Sequence, residues 1–295
     1  MSVQNDPTRY TSVRLIIAPF HAGIFNHRVG AGPTHLLSCG LIERLRFLNI
    51  KIDTEEVALV YDFEGDIGRS FEVIRRIARA VRRAVEENAF PVILAGNCNA
   101  SVGVAGGLQN ADLGFVWFDA HSDLDTPDET VSGYLDGMGV SMLAGKSWKA
   151  FLETIPGFQP INLERVVYCG VRDLSDAQHS RLQESPARAV YGKEDAEIDF
   201  TKELDKELKE ANLQSTVIHL DVDCLDTALG KANEYAAPGG LSAGDLSGCM
   251  ELLLDKVTPV AMTVASYNPK LGDGVTIAEA AIDAICKVVA SIRQT

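Results

Sequence analysis

Two apolar, strand-like runs of the chain end in clusters of acidic residues and histidine. GFVWF runs into DAHSD, and STVIHL runs into DVDCLD. The side chains that recur there at alternate positions are Asp119, His121 and Asp123 in the first cluster and Asp221 and Asp223 in the second. Alternate residues of an extended chain point the same way, and buried carboxylates at this density need a cation to stay ionised. Either cluster alone would fit a helix cap or a solvated turn. The two together predict a binuclear metal site.

Carboxylates combined with imidazole are donors that suit Mn²⁺ or a similar borderline ion. We therefore expect two Mn²⁺ as cofactors. Two such ions can share a water molecule, lower its pKa and present hydroxide for hydrolysis. His219 lies on the same face of the second run. We interpret it as a buried packing or supporting residue rather than a direct ligand.

A cysteine occupies a third strand end, in the stretch VILAGNCNASVGVAGG at 92–107. The apolar residues at its start indicate a buried strand, and the small residues after Cys98 indicate a loop and a helix start. α/β proteins usually place functional residues at such junctions. Taken alone, Cys98 fits a small buried residue, since free cysteine is among the most buried residue types.

Strand-like and helix-like segments alternate along the whole chain. The apolar runs that predict strands are 13–20, 57–61, 91–96, 114–120, 165–171, 188–192, 215–223 and 258–266. Apolar residues recur at helical spacing over 70–89, with Ser70 as N-cap, and over 275–293. This alternation predicts a single α/β domain over 1–295, a three-layer, doubly wound fold with an eight-stranded, mainly parallel sheet and helices on both faces. Ligands of such sheets bind beyond the carboxyl ends of the strands.

Composition excludes several classes of function. The 295 residues carry a net charge of −14, which argues against nucleic-acid binding. No run approaches the roughly 20 apolar residues of a membrane span, and the first residues contain no signal sequence, so we expect a cytoplasmic protein with no membrane partner. Six cysteines without a CxxC pair do not indicate disulfides or a structural zinc site. The expected partner is a small-molecule substrate, and a homo-oligomer is compatible with the sequence.

DAHSD and DVDCLD resemble the two metal signatures of the ureohydrolase superfamily, which includes arginase, agmatinase and related amidinohydrolases. The resemblance extends from GIFNHRVGAGPTHLL at 23–37 to SYNPKLG at 266–272 and includes GGLS at 239–242. It implies an arginase-like fold and a metal-dependent hydrolase of linear amidine C–N bonds. It also implies that Asp119 and Asp221 bridge two metal ions, that His121 and Asp223 complete one ion's shell, and that Asp123 binds the other.

A third signature of the superfamily, Gly-Gly-Asp-His before a small helix start, aligns with AGNCNASVG. This alignment matches Gly96 and Gly103 and places Cys98 where the histidine ligand belongs. A shift by one residue would place Asn99 there and lose the match at Gly103. We prefer Cys98, because a thiolate can ligate the metal and a neutral amide would do so poorly.

Other positions depart from the arginase pattern. The resemblance places Asp136 where a histidine serves as proton shuttle, so Asp123 and Asp136 are the expected catalytic residues. The expected substrate-binding residues are Asp125, Ser132, Tyr134, Ser175 and Ser266. Among them, Asp125 replaces an asparagine that helps hold the α-carboxylate of arginine, and Ser175 replaces an aspartate that helps hold its α-amino group. Ser266 replaces a glutamate that pairs with guanidinium. Hydrolysis of ordinary L-arginine is therefore not expected.

Charge arithmetic indicates a different substrate. Four aspartates already balance two divalent ions, so a Cys98 thiolate would leave the site one unit negative and make the ions weaker Lewis acids. An N-hydroxyguanidine is largely uncharged and needs no carboxylate opposite it. The loss of the glutamate at Ser266 favours the same kind of substrate. The superfamily includes an Nω-hydroxy-L-arginine amidinohydrolase branch, and we expect this chain to resemble that branch. Two alternatives stay open: a non-catalytic binding or regulatory relative, and a repurposed member with a different reaction.

Overall fold

An eight-stranded sheet forms the centre of the computed structural model, which describes residues 10–272 and 274–292. The strand order is β4-β1-β5-β10-β9-β6-β7-β8, and every neighbouring pair in it is parallel. The strands of this sheet are β1 (Ser12–Ala18), β4 (Lys51–Glu56), β5 (Ala89–Ala95), β6 (Gly114–Phe118), β7 (Val166–Val171), β8 (Arg188–Tyr191), β9 (Ser215–Asp221) and β10 (Thr258–Ala265). A short antiparallel hairpin, β2 (Phe20–His21) and β3 (Ile24–Phe25), follows β1.

Ten α-helices surround the sheet in the described part of the chain. They are α1 (Gly32–Ser38), α2 (Leu41–Phe47), α3 (Gly65–Glu86), α4 (Ala100–Leu108), α5 (Gly139–Leu143), α6 (Lys149–Leu152), α7 (Asp176–Glu184), α8 (Phe200–Ala211), α9 (Ala243–Lys256) and α10 (Thr276–Ser291). None of them combines the length and the apolar character that a membrane crossing requires.

Two hydrophobic cores, one on each face of the sheet, produce the three layers. On β5, Val92 and Leu94 belong to the core beneath α1, α2, α8, α9 and α10, whereas Ile93 and Ala95 belong to the core beneath α3, α4 and α5. Successive residues of a strand point to opposite faces, and a sheet covered on both sides therefore needs continuous apolar strands. The predicted three-layer α/β class is confirmed, and the central sheet is parallel throughout.

Two local predictions are wrong. The edge strand is Lys51–Glu56, and the apolar run predicted as a strand at 57–61 follows it without strand structure. An edge strand is covered less than a central one, so a half-polar sequence forms it, while Leu59 and Tyr61 stay exposed. Ser70 is not an N-cap, because α3 begins at Gly65 and Ser70 is buried within the helix.

Candidate functional site

Four adjacent strands of the sheet end side by side at the candidate site. Cys98 follows β5, Ser266 follows β10, Asp221 ends β9, and Asp119 follows β6. Because parallel strands present their carboxyl ends at one edge, residues far apart in sequence meet there. The structure thus brings together the three sequence motifs that predicted a metal site.

Asp119, His121 and Asp223 form a compact carboxylate–imidazole cluster. His121 Nδ1 lies 3.3 Å from Asp119 Oδ1 and 3.4 Å from Asp223 Oδ2. One donor atom from each of the three residues lies within 4.8 Å of the others. Burial opposes the ionisation of Asp223, but the charge and hydrogen bond of His121, together with hydrogen bonds from Asn233 and the Ala120 N–H, outweigh burial and hold the pKa of Asp223 well below its usual range. Burial by itself would lower the pKa of His121, but the Asp223 charge and hydrogen bonds to the surrounding aspartates together more than offset it, so the pKa is raised.

Backbone and amide groups hold these carboxylates in place. Asp119 Oδ1 accepts the His121 backbone N–H at 2.7 Å, and Asp119 Oδ2 accepts the Trp117 indole N–H at 2.9 Å. Asp223 Oδ2 accepts from the Asn233 side-chain amide at 2.9 Å. Asn233 also donates to the backbone carbonyl of Ser266 at 3.1 Å. Sequence analysis missed Asn233, because it lies in an irregular loop without spacing that would mark it.

Cys98 lies on the other side of the centre, against Asp221. Its Sγ donates to Asp221 Oδ2 at 2.8 Å and lies 3.2 Å from Ser266 Oγ. Burial raises the pKa of the Cys98 thiol well above its usual value, and the Asp221 charge raises it further. The protein atoms alone therefore keep this thiol protonated.

The aspartates of the centre carry more negative charge than the surrounding residues compensate. Burial raises the pKa of Asp119 to about 6, helped by Asp223. It also raises the pKa of Asp123 and Asp221 well above the usual value, with repulsion from Asp119 and from Asp223 respectively. Removing carboxylates from water favours the neutral acid unless a cation is present. Oxygen, nitrogen and sulfur donors with this excess of negative charge fit divalent metal ions.

Close packing of glycines fixes the loop that carries Cys98. A Cβ added to Gly96 would lie 2.1 Å from the carbonyl oxygen of Phe20, and one added to Gly103 would lie 2.6 Å from that of Ile74. Only glycine fits at either position without moving the backbone. These close contacts explain why glycine occupies the two positions that support the sequence alignment.

Asp136 braces the same loop from the opposite side. Its Oδ2 accepts from the Asn97 side-chain amide at 2.6 Å, and its Oδ1 accepts the Asn99 backbone N–H at 3.0 Å. Asn97 also donates to the Tyr134 hydroxyl at 3.1 Å. Burial raises the pKa of Asp136 to about 7.

Asp125 is held by helix α7. Arg181 donates to its Oδ1 at 2.6 Å, and the Gln178 side-chain amide donates to its Oδ2 at 3.1 Å. Ser175 caps the same helix: its hydroxyl accepts the Gln178 backbone N–H and donates to the Gln178 side-chain oxygen. Ser175 therefore serves α7 directly and does not line the cleft that the other predicted residues share.

A cleft of about 190 Å³ opens above the clustered carboxylates. The predicted site residues that line it are Cys98, His121, Asp123, Asp125, Ser132, Tyr134, Asp136, Asp221, Asp223 and Ser266. Asp119 lies beneath them, almost fully buried. Sequence analysis did not assign Tyr235, whose ring lies 5.8 Å from that of Tyr134, or the Arg28–Glu234 ion pair at the rim.

Two residues of the cleft adopt left-handed backbone conformations, which are rare for residues other than glycine. Asp123 has φ 49° and Ser266 has φ 66°. Such conformations cost of order 1–3 kcal/mol and cluster at functional sites. Here they turn the chain sharply after β6 and β10, so that both side chains face the cleft.

His219 lies directly below the centre on β9. Its Nδ1 lies 2.8 Å from Ser101 Oγ, and its ring stacks on Trp117 with the ring centroids 3.5 Å apart. Burial lowers the pKa of His219 to about 3, so the imidazole is neutral. The predicted buried environment of this residue is confirmed.

A parallel α/β sheet with a buried acidic centre at its carboxyl edge defines a class of metal-binding α/β proteins, and comparison with known proteins identifies the family. The model described as "Arginase family" matches residues 11–291. The arginase of Staphylococcus aureus (strain COL) is 26% identical over 294 residues, which cover 94% of this chain and 97% of that protein.

Solved structures share the fold. The crystal structure of arginase from Bacillus subtilis has a TM-score of 0.83 at 23% identity and covers 94% of this chain and 98% of its own. Formimidoylglutamase from Bacillus subtilis has a TM-score of 0.73 at 14% identity, covering 97% and 89%. The chain belongs to the arginase family. The resemblance to the ureohydrolase superfamily is confirmed, and the predicted class of metal-dependent amidinohydrolase is confirmed at the level of the family.

Proposed function

We propose that this protein is a binuclear manganese-dependent hydrolase that cleaves the linear C–N bond of an N-hydroxyguanidine, with Nω-hydroxy-L-arginine as the model substrate. The observation that carries the proposal is Ser266. Its hydroxyl lies in the cleft, 3.2 Å from Cys98 Sγ. A neutral hydroxyl therefore stands where the arginase pattern has a carboxylate to pair with guanidinium.

The clustered donors would hold two metal ions. His121 and Asp223 would serve one ion, Cys98 and Asp123 would serve the other, and Asp119 and Asp221 would serve both. Supporting this, the pKa values of Asp119, Asp123 and Asp221 are raised by burial and mutual repulsion, which bound cations would relieve. When bound, the two ions supply a hydroxide nucleophile by lowering the pKa of a shared water.

The charge balance of the centre would weaken the ions as Lewis acids, which favours a less basic and more electrophilic substrate. Ionised Cys98 would add one negative charge to four carboxylates, so the two divalent ions would be over-compensated. Such ions polarise water and substrate less strongly than a neutral centre does. An N-hydroxyguanidine offsets this, because its electron-withdrawing hydroxyl lowers the basicity of the group and leaves the carbon more electrophilic.

The walls of the cleft supply orientation and a proton. Tyr134 and Tyr235 form an aromatic side, and Ser132 lies at the exposed rim. The carboxyl of Asp136, with its pKa raised to about 7, can hold a proton at neutral pH and release it near the leaving amine. Because α7 engages both oxygens of Asp125, that side chain would bind substrate together with Gln178 and Arg181, as one hydrogen-bonded unit.

A substrate panel tests the proposal. Purified protein loaded with Mn²⁺ is given arginine, agmatine, guanidino acids and Nω-hydroxy-L-arginine, and urea and hydroxyurea are measured. Hydrolysis of the N-hydroxyguanidine adds water across the C–N bond and releases hydroxyurea and the alkyl amine. We expect kcat/KM for the N-hydroxy substrate to exceed that for arginine by at least about a hundredfold, the scale of one lost charge pair in a buried site.

Ser266→Glu is the informative variant, and Ser38→Glu, which adds the same charge at an exposed position outside the cleft, is its control. Ser266→Glu should shift the ratio of specificity constants towards arginine, whereas Ser38→Glu should leave it unchanged. Equal specificity constants for the two substrates in the wild type would contradict the proposal. A protein that binds these ligands without hydrolysing any of them, and that does not hold two metal ions, would instead be a non-catalytic binding relative of the family.

A further inference from the structure

His219 is a buried imidazole with an unused nitrogen beside the centre. It is fully buried, and its Nε2 has no hydrogen-bond partner among the described residues. Its other nitrogen, Nδ1, lies 2.8 Å from Ser101 Oγ. Buried polar atoms are nearly always paired, so an orphaned nitrogen of this kind indicates a missing partner.

The neighbouring donors indicate what that partner is. A ring nitrogen of His219, Cys98 Sγ and an Asp119 carboxylate oxygen all lie within 4.8 Å of one another. Two ligands of one tetrahedral ion, each at about 2.0–2.3 Å, stand roughly 3.3–3.8 Å apart, so small side-chain adjustments would bring all three donors onto one ion.

The imidazole is held ready for ligation. Its ring stacks almost parallel on Trp117, with an interplanar angle of 12°, and Ser101, which contacts Nδ1, also donates to Thr263 at 3.1 Å. Ligating histidines characteristically use one nitrogen for the metal and the other for an orienting hydrogen bond. Ser101 provides that orienting contact here.

We infer that His219 Nε2 is a metal ligand, and that Cys98, His219 and Asp119 form a sulfur–nitrogen–oxygen donor set which binds a thiophilic divalent ion of the zinc type in preference to Mn²⁺. The inference rests on the proposed binuclear centre and refines the identity of one of its two ions. Thiolate and imidazole select zinc-type ions, whereas carboxylate and water suit Mn²⁺. The position formed by His121 and Asp223 has no thiolate and keeps its preference for Mn²⁺.

Cadmium-113 NMR tests ligation directly. Protein labelled with ¹⁵N in its histidine rings is loaded with ¹¹³Cd²⁺, and one-bond couplings between cadmium and ring nitrogens are counted. Two coupled imidazoles are expected, His121 and His219. His219→Asn should remove one of them, because the asparagine amide can keep the contact with Ser101 but offers nothing at the place of Nε2.

The outcomes separate the inference from the proposed function. A single coupled imidazole in the wild type, lost in His121→Asn, would overturn the role of His219 and leave the binuclear centre standing. Absence of any coupled nitrogen and of bound cadmium would overturn both. Two coupled imidazoles in the wild type support the inference without any variant, and a single one is assigned with His121→Asn, so misfolding of His219→Asn does not affect the result.

Metal competition tests the choice of ion. Protein with one equivalent of Zn²⁺ is dialysed against about a hundredfold excess of Mn²⁺, and its metals are quantified. One zinc per chain should stay bound in the wild type, and His219→Asn should weaken zinc binding at least tenfold. His35→Asn, a histidine that contacts the Gly274 carbonyl away from the centre, should match the wild type. Complete replacement of zinc by manganese in the wild type would refute the preference.

Discussion

The two sides of the candidate centre balance their charge in different ways. On one side, which we call the oxygen side, His121 contacts Asp119 and Asp223, and the imidazolium keeps Asp223 ionised without any metal. On the other, the sulfur side, Cys98 meets Asp221, and both groups have raised pKa values. The oxygen side contains an internal cation, whereas the described residues place no cation beside Cys98 and Asp221.

This difference places the stronger demand for a metal ion on the sulfur side. An ion bound there would have to displace the thiol proton, whereas an ion at the oxygen side would compete with the charge of His121. Binding at the two positions should therefore differ in pH dependence and in the effect of single substitutions. The following changes separate the two sides, from the largest effect to the smallest.

Asp221→Ala should remove the metal ions from both the oxygen side and the sulfur side, so that the two sides no longer differ. Asp221 contacts the Cys98 thiol and its Oδ1 also accepts the Asp223 backbone N–H at 2.8 Å, so its loss affects both sides. We expect loss of both ions and a fall in kcat of roughly a thousandfold or more. Elemental analysis measures the ions, and Asp112→Ala, at an exposed position, is the control. Two ions retained in Asp221→Ala would contradict the assignment of a bridge.

Cys98→Ala should affect the sulfur side alone. One ion should be weakened or lost while the ion at His121 and Asp223 stays bound. Cys169→Ala removes a thiol that is equally buried but lies in the core beneath α8 and α9, and it should keep both ions. Metal content of the two variants is compared directly. If Cys98→Ala keeps two ions and nearly full activity, Cys98 is only a packing residue.

Asn233→Ala should affect the oxygen side more than the sulfur side, because Asn233 holds the Asp223 carboxylate directly and reaches the sulfur side only through the Ser266 backbone. Removing the amide that holds Asp223 Oδ2 should lower metal affinity at this position by about 10–100-fold, the usual effect of an outer-shell partner. Titration with Mn²⁺ measures the affinity. Asn162→Ala, which removes an amide that caps a distant turn, should have no effect, and an equal effect in both variants would count against the role of Asn233.

Ser175→Ala should leave both sides of the centre unchanged. The serine caps α7, and loss of a cap costs about 1 kcal/mol of unfolding free energy. Ser242→Ala removes the same capping box from α9 and is the matched control. We expect similar losses of stability in denaturant unfolding and an unchanged KM. A KM raised tenfold in Ser175→Ala alone would restore the predicted role in substrate binding.

The sequence predicts the parts of the fold and site that depend on local patterns. Continuous apolar runs located seven of the eight central strands, since buried parallel strands need apolar residues on both faces. The eighth, Lys51–Glu56, escaped because an edge strand tolerates a half-polar sequence. Alternating Asp and His residues marked the strand ends that meet at the cleft.

Contacts between distant segments escaped prediction. Asn233 and Tyr235 lie in a loop without periodicity, and only the folded chain brings them to Asp223 and Tyr134. The sequence indicated that His219 is buried, but not which way its ring faces. Ser101 and Trp117, which come from two other segments, set the orientation that leaves Nε2 unpaired among the described residues. Hydrogen bonding of this kind follows from tertiary structure and leaves no signal in spacing.

The assembly of the centre from the ends of neighbouring strands has a consequence for folding. Cys98 and Asp221 are 123 positions apart in the chain, so their donors meet only after strands of high sequence separation have paired, a slow event. An ion that binds the native state alone stabilises it in proportion to the logarithm of its free concentration, by about 2.7 kcal/mol at a hundred times its Kd. Scarcity of the ion would then shorten the lifetime of the protein against proteolysis as well as stop its chemistry.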